Sequence, residues 1–148
     1  MALGSRGELV IFAAGGRRWA LPLAAVDRVV AMVAIEPLPG APPGVRGAVD
    51  VHGDVLPVLD LGVRLGEAPH PLGPGAQLVL ARTARRRVAL PVDESLGVVS
   101  PEPLRGASAP LAGLARLPDG LLAVYDLDAF LAAGEEDRLT LALAGARA

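Results

Sequence analysis

The sequence predicts an all-β fold with short helices, arranged as two small closed barrels that pack on a shared core. Three observations lead to this prediction: the chain repeats itself, its strands are short and joined by tight turns, and its 148 residues suit two half-size modules. Closure of each sheet into a barrel would remove exposed strand edges. A module of about 65–70 residues has only a small core of its own, so we expect the two to pack together.

An internal repeat is clearest between residues 47–65 and residues 113–131, which align without a gap at a spacing of 66 positions. Each segment is typical of a strand, a tight turn, a second strand and a short helix capped by an aspartate such as Asp60. Upstream, residues 18–22 match residues 87–91 at a spacing of 69 positions. The ordered placement of Arg, Pro, Gly and Asp in both copies indicates a duplication.

The first module is predicted over about residues 8–66 and opens with a hairpin whose turn is Gly15–Gly16. Apolar residues at helical spacing then predict a helical turn that leads into a strand at residues 23–30. The proline-rich connector 36–44 cannot lie inside a sheet. A second hairpin and a short helix complete the module at residues 47–66.

The second module is predicted over about residues 76–134 and repeats this order after a joint rich in proline and glycine. Strands are predicted at residues 76–82, 86–92 and 93–100, followed by a connector at residues 101–110. A hairpin at residues 111–126 and a helix at residues 127–133 complete the module. A last helix is predicted at about residues 135–144, because its acidic start suits a helix N-terminus. Leu139 and Leu143 share one face of that helix, which we expect to dock on the body of the protein.

Composition excludes several classes of function. A net charge of −2 gives no electrostatic case for binding nucleic acid or an anionic membrane. With no cysteine, the chain has no disulfide, thiolate metal site or cysteine nucleophile. Its apolar runs end well before the roughly 18 residues that a membrane span needs. We therefore expect a cytoplasmic protein with no direct membrane insertion.

Five segments carry a resemblance to a known family: ELVIFAAGGRRWALPLAAVDRVV, LPGAPPGVRG, AVDVHGDVLPVLDL, RRRVALPVDESLGVV and GLLAVYDLDAFL. Together they resemble the CheW-like chemotaxis coupling proteins over residues 8–133, which is nearly the whole chain. The resemblance implies two SH3-like, five-stranded β-barrels packed side by side. It also implies one CheW-like domain over residues 1–148.

The functional implication of this resemblance is a scaffold without catalysis, without a cofactor and without a bound metal. Proteins of the family bridge a chemoreceptor's cytoplasmic tip and the regulatory domain of a CheA-type histidine kinase, and their barrels join in rings. Weak self-association is compatible with that behaviour. The resemblance implies a contact with the kinase or a neighbour at Val26. It places the receptor groove at Leu23, Arg28, Val29, His52, Gln77 and Val88.

One departure from the family concerns the turn Val51–Gly53, where the family usually has Leu-Arg-Gly. His52 replaces an arginine that is a usual receptor contact. Histidine is shorter and mostly neutral at pH 7, and it cannot form a two-pronged bond to a carboxylate. We expect His52→Arg to strengthen binding to an ordinary receptor tip.

Two rival functions remain open at this point. Asp50, His52 and Asp54 could form the centre of a small metal-dependent hydrolase, although polar residues at an exposed hairpin tip are the simpler interpretation. Alternatively, a regulatory version of the same fold could bind a small ligand between the modules. Two further interpretations are that residues 85–87, all arginine, form a solvated hairpin tip, and that Trp19 lies in a barrel wall.

Overall fold

The computed structural model describes residues 7–104 and 111–147. Its strands are β1 (Leu9–Ala14), β2 (Arg17–Pro22), β3 (Val26–Ala31), β4 (Val45–Val51), β5 (Asp54–Leu59), β6 (Gln77–Arg82), β7 (Arg87–Val92), β8 (Glu94–Val99), β9 (Glu102–Leu104), β10 (Leu111–Leu117) and β11 (Gly120–Tyr125). Its helices are α1 (Leu61–Arg64) and α2 (Ala133–Arg147), with single 3₁₀ turns at Leu23–Ala25 and Leu127–Ala129. The predicted all-β class with short helices is confirmed. Part of the predicted connector, residues 105–110, lies outside the described residues.

The strands form two sheets, and each sheet combines strands from both halves of the sequence. The first sheet has the order β8-β1-β2-β11-β10-β9, and the second has the order β3-β6-β7-β5-β4. The hairpin β1–β2 therefore belongs to the sheet of the second half, and the hairpin β6–β7 belongs to that of the first. The predicted modules, residues 8–66 and 76–134, do not coincide with the two sheets, because the halves exchange their opening hairpins.

Strand register shows that this exchange is reciprocal. In the first sheet Ala20 pairs in parallel with Val124, and in the second sheet Ala89 pairs in parallel with Val58. The two valines are 66 positions apart and the two alanines 69, which are the spacings of the sequence repeat. The β1–β8 and β3–β6 ladders also share a register shift at matching places. The structure therefore repeats where the sequence repeats.

Both copies of the repeat have a glycine at the same position, Gly47 and Gly113, and the structure gives a steric reason for it. Gly47 has φ of 153°, and a Cβ added there would lie 2.1 Å from the carbonyl oxygen of Glu36. That close approach accompanies the backbone pairing of Glu36 with Ala48, through which the proline-rich connector is fixed to β4. Gly113 occupies the matching register shift in the β10–β11 hairpin. Glycine is required where backbone segments approach this closely.

The core between the two sheets contains every aromatic residue of the chain. Phe12, Trp19, Tyr125 and Phe130 are all buried in one cluster with aliphatic residues of both sheets. The ring of Tyr125 lies 4.6 Å from that of Trp19 and 5.8 Å from that of Phe130, centroid to centroid. Tilted aromatic pairs at such distances add to the energy of burial. The sheets are thus fixed to each other by large side chains, and Trp19 is a wall residue as predicted.

Helix α2 follows the first sheet in the chain but packs on the second. Leu139 and Leu143 are buried against Leu38 and Ala48, which confirms the predicted docking face. The helix extends beyond the predicted residues 135–144 at both ends. Neither α1 nor α2, the α-helices of the described residues, is long and apolar enough to cross a membrane.

Two arginines, Arg64 of α1 and Arg86 of the turn between β6 and β7, hold the start of α2. Arg64 forms an ion pair with Glu135, and the Nε of Arg86 donates to Glu136 at 3.0 Å. The backbone N–H of Ala132 also donates to Glu135. This backbone hydrogen bond and, to a lesser degree, Arg64 hold the pKa of Glu135 below its ordinary value, against the opposing effect of burial. Glu135 therefore caps and anchors the helix as a carboxylate.

Candidate partner-binding site

Four of the predicted docking residues lie on or beside β3, an outer strand of the second sheet. Leu23 lies in the 3₁₀ turn before the strand, and Val26, Arg28 and Val29 lie on the strand itself. Arg28 is exposed, whereas the three aliphatic side chains are half-buried. Within the described residues β3 pairs with β6 on one side only, so its other side offers backbone donors and acceptors to a partner.

Gln77 lies where the edges of the two sheets meet. It begins β6 beside Ala31 of β3, and its side-chain oxygen accepts a hydrogen bond of 2.8 Å from the backbone N–H of Ser95. Ser95 belongs to β8, one of the two outer strands of the first sheet. The backbone N–H of Leu23 donates to the carbonyl of Glu8 at 2.9 Å, which continues the β1–β2 ladder to the start of the 3₁₀ turn. Gln77, which was predicted to line the receptor groove, therefore borders both sheets.

Sequence analysis missed two exposed apolar residues on β8. Leu96 is 46% exposed and Val98 is 54% exposed, and they lie two residues apart on one strand. The repeat spacing of 69 positions relates them to Asp27 and Val29 of β3. That spacing was the signal that could have found them, because it makes β8 the counterpart of a strand already considered for docking.

Val88 lies inside the protein rather than on its surface. It is 1% exposed and belongs to the core cluster between the sheets. Val26 and Val29 pack against that same cluster from the outside. A direct contact between Val88 and a partner is therefore incompatible with this structure, because the side chain is enclosed in the core between the sheets. Val88 supports β3 from beneath.

A network of charged side chains crosses the second sheet beside β3. Arg82 and Arg87 face each other across neighbouring strands, where like charges repel. The carboxylate of Asp27 contacts both, at 3.1 Å from Arg82 Nε and 3.3 Å from Arg87 Nε. Arg87 also donates to Asp54 at 2.9 Å. Asp27, next to Arg28, is thus connected to Asp54, which lies near His52.

The predicted solvated tip at residues 85–87 is wrong for two of its three arginines. Arg87 takes part in the charged network, and the side chain of Arg86 is only 18% exposed and contacts Glu136 and Thr140 of α2. Tertiary contacts at this turn involve residues distant in the sequence. The amino-acid composition of the turn alone therefore could not predict these contacts.

The residues of the possible metal site serve other contacts. The carboxylate of Asp50 accepts a hydrogen bond of 2.8 Å from the backbone N–H of Gly53, and Asp54 pairs with Arg87. His52 is exposed at the tip of the β4–β5 hairpin with φ of 52°, the left-handed conformation such turns need. The described residues contain no group of three or more His, Cys, Asp or Glu side chains placed to hold a metal ion.

Comparison with known proteins places the chain in a family. The model of the CheW-like domain matches residues 8–135. The chain is 30% identical over 86 residues to the "Chemotaxis protein CheW" of Rhizobium meliloti (strain 1021), and 28% identical over 86 residues to the "Probable chemotaxis protein CheW" of Rhizobium etli. In each case the match covers 58% of this chain and 56% of the relative, so it spans little more than half of the relatives' length.

A solved structure has the same fold. The scaffolding protein TtCheW from Thermoanaerobacter tengcongensis superimposes with a TM-score of 0.73, and the match covers 86% of this chain and 94% of that one. Sequence identity is 20%, so the likeness shows the fold and not the function. The prediction of two small β units with the SH3-like fold of CheW proteins is confirmed.

Proposed function

Since the chain belongs to the CheW-like domain family, we propose that it is a non-catalytic adaptor that couples chemoreceptors to a CheA-type histidine kinase. It would act in the cytoplasm, in chemotaxis or a related signalling pathway. The names of its relatives support this proposal, since two are chemotaxis proteins and one is a scaffolding protein. The observation that carries it is β3, an outer strand with half-buried aliphatic side chains between charged ones.

We assign the receptor tip to the surface bordered by Leu23, Arg28, Val29 and Gln77. Half-buried aliphatic side chains with a polar rim suit the apolar stripe of a helical hairpin. His52 lies on the hairpin that the Asp27–Arg87–Asp54 network connects to β3, which supports its assignment to the rim. Val88 contributes by holding β3 in place from the core.

We assign the kinase, or a neighbouring copy, to the start of β3 around Val26. This side chain packs partly on the inter-sheet core and is partly open to solvent. A carboxylate at this position would place a charge inside an apolar contact, which is costly unless it is paired. Val26→Asp is therefore a sharp probe of the proposed contact.

Calorimetric titration of the protein with the regulatory domain of a CheA-type kinase tests this assignment. We expect a Kd near or below about 1 μM, abolished by Val26→Asp. Val33→Asp provides a matched control, because Val33 is exposed and lies outside the strands. Loss of binding in both variants, or no binding by the unaltered protein, would contradict the assignment.

The rival hydrolase has a simple test of its own. Asp50 and Asp54 are engaged in the turn and in an ion pair, which supports an adaptor over a metal-dependent enzyme. Elemental analysis of purified protein should find less than about one tenth of an equivalent of any transition metal, because a dedicated site binds its metal tightly. A stoichiometric metal lost on Asp50→Ala would favour the hydrolase.

A further inference from the structure

A cavity of about 370 Å³ lies between the two sheets, next to the joint that connects the halves of the sequence. We call it the inter-sheet cavity. Phe12 and Trp19 of the first sheet line one wall, and Leu59 and Leu90 of the second sheet line another. Residues 67–70 of the joint and Leu72 border it as well. Its size falls in the range of roughly 300–1,000 Å³ that is typical of small-molecule sites.

Charge in this cavity favours a cation. The ionised lining residues are one arginine, Arg46, and three carboxylates, Asp60, Glu67 and Asp93. Arg17, which lies outside the lining, pairs with Glu67, so the carboxylates around the cavity exceed the arginines by one. Apolar walls weaken the screening of that charge by water, so a ligand of opposite charge is preferred.

Two of the three carboxylates already have strong partners. Asp60 caps α1 and accepts from Arg46 Nε at 2.6 Å, while Glu67 pairs with Arg17 at 2.5 Å. Arg46 also donates through Nη2 to the carbonyl of His70 at 2.7 Å. These groups hold the joint against the sheets. They form the polar frame of the cavity and leave little capacity for a ligand.

Asp93 is different. Among the described residues its side chain has one recorded contact, to the Nε2 of His70, and that distance of 3.5 Å is longer than a good hydrogen bond. The backbone N–H of Asp93 donates to the carbonyl of Ala13, which fixes the residue at the cavity rim. A carboxylate held in place but weakly paired is suited to accept hydrogen bonds from an ammonium group.

We propose that the inter-sheet cavity binds a small organic ammonium ion. Its apolar body contacts the half-buried part of the lining at Ala14 and Leu72. Its ammonium group donates to the carboxylate of Asp93. This inference stands independently of the adaptor function, and occupancy would act directly on the core that fixes the two sheets to each other.

Three probes of one shape test the proposal: phenylbutylammonium, phenylbutanol and phenylbutyrate. Trp19 is the only tryptophan of the chain, so its fluorescence reports occupancy of the cavity without labelling. We expect the ammonium ion to bind about tenfold more tightly than the alcohol, and the carboxylate to bind most weakly, because the three share an apolar body and their head groups differ in charge and in the ability to donate to Asp93. Calorimetry checks the same order without relying on fluorescence.

Two variants test separately whether the ligand contacts Asp93 and whether it lies in the inter-sheet cavity. Asp93→Asn should lower the affinity for the ammonium ion about five- to tenfold, to that for the alcohol, and leave the alcohol unchanged. Asp119→Asn is the matched control, since Asp119 is exposed, pairs with Arg18 and lies outside the cavity lining. Ala14→Leu fills space in the lining and should weaken all three probes, with thermal unfolding confirming that it folds.

The proposal fails if the three probes bind equally, or if Asp93→Asn affects the ammonium ion no more than Asp119→Asn does. It also fails if Trp19 fluorescence stays constant while calorimetry detects binding, because the probe then binds elsewhere. Absence of any binding at millimolar probe overturns it as well.

Discussion

Ala20 of β2 pairs in parallel register with Val124 of β11, so the first hairpin of the chain completes the sheet formed by its last strands. The reciprocal pair, Ala89 with Val58, completes the other sheet. Each half of the sequence thus supplies what the other half lacks. The duplicated chain is one folding unit rather than two modules joined by a linker.

This exchange predicts that the halves depend on each other. Fragments 1–71 and 72–148 should each be largely unfolded alone, because each lacks the strands that cover its own hairpin. An equimolar mixture should recover the β-sheet signal and cooperative unfolding. Circular dichroism of the separate and mixed fragments provides the measurement, and a folded monomer of either fragment alone would contradict the prediction.

The aromatic core between the sheets predicts that truncation of Phe130 strongly lowers the free energy of unfolding. Phe130→Ala removes a buried ring that packs on Tyr125, so we expect a loss of about 3–5 kcal/mol in the free energy of unfolding. Leu121→Ala is the control, because Leu121 is 61% exposed and should cost no more than about 0.5 kcal/mol. Urea denaturation measures both, and similar losses at the two sites would contradict the core assignment.

The capped start of α2 predicts a pH-dependent contribution to stability. Because the pKa of Glu135 is lowered in the folded protein, ionised Glu135 stabilises the fold above the ordinary glutamate pKa. That contribution is lost as pH falls through the lowered pKa. At pH 7, Glu135→Gln should cost about 1–2 kcal/mol, because it weakens charged hydrogen bonds from Ala132 and Arg64.

Denaturation of Glu135→Gln and the unaltered protein at several pH values checks this contribution. The difference between them should shrink as the solution is acidified, since both side chains are then neutral. Asp137→Asn offers a control on the same helix, because Asp137 is exposed. A difference that is independent of pH would show that the charge of Glu135 is not the cause.

The tip of the β4–β5 hairpin predicts a gain of function. His52→Arg restores a permanent cation at the proposed receptor rim and should tighten binding to a receptor tip about three- to tenfold. His52→Asn is the matched control, because asparagine tolerates the left-handed backbone of this turn but adds no charge. Calorimetry with a receptor fragment distinguishes them. Equal affinities of His52→Arg and the unaltered protein would exclude His52 from the contact.

Local features of the fold were predictable from the sequence. The turns at Gly15–Gly16 and His52–Gly53, the Asp60 cap and the buried face of α2 depend on neighbouring residues, which the sequence displays directly. The repeat was predictable because the same residue types recur at constant spacing. These features can be predicted without knowing which strands pair with each other.

The exchange of hairpins could not be predicted in the same way. Because the hairpins β1–β2 and β6–β7 have similar apolar patterns, either one satisfies the pattern of either sheet. Only long-range pairing distinguishes the two arrangements. Val88 was misplaced for a related reason, since β7 lies between β6 and β5 and is buried along nearly its whole length. Arg86 is covered by a helix that comes about 50 residues later.

The most direct test of the proposed adaptor is reconstitution of the signalling complex. Kinase autophosphorylation is measured with a receptor signalling fragment and a CheA-type kinase, with and without this protein. The account predicts that kinase activity responds to the receptor only when the protein is present, and that Val26→Asp removes the response while Val33→Asp preserves it. Equal kinase activity with and without the protein, across cognate receptors and kinases, would contradict the account.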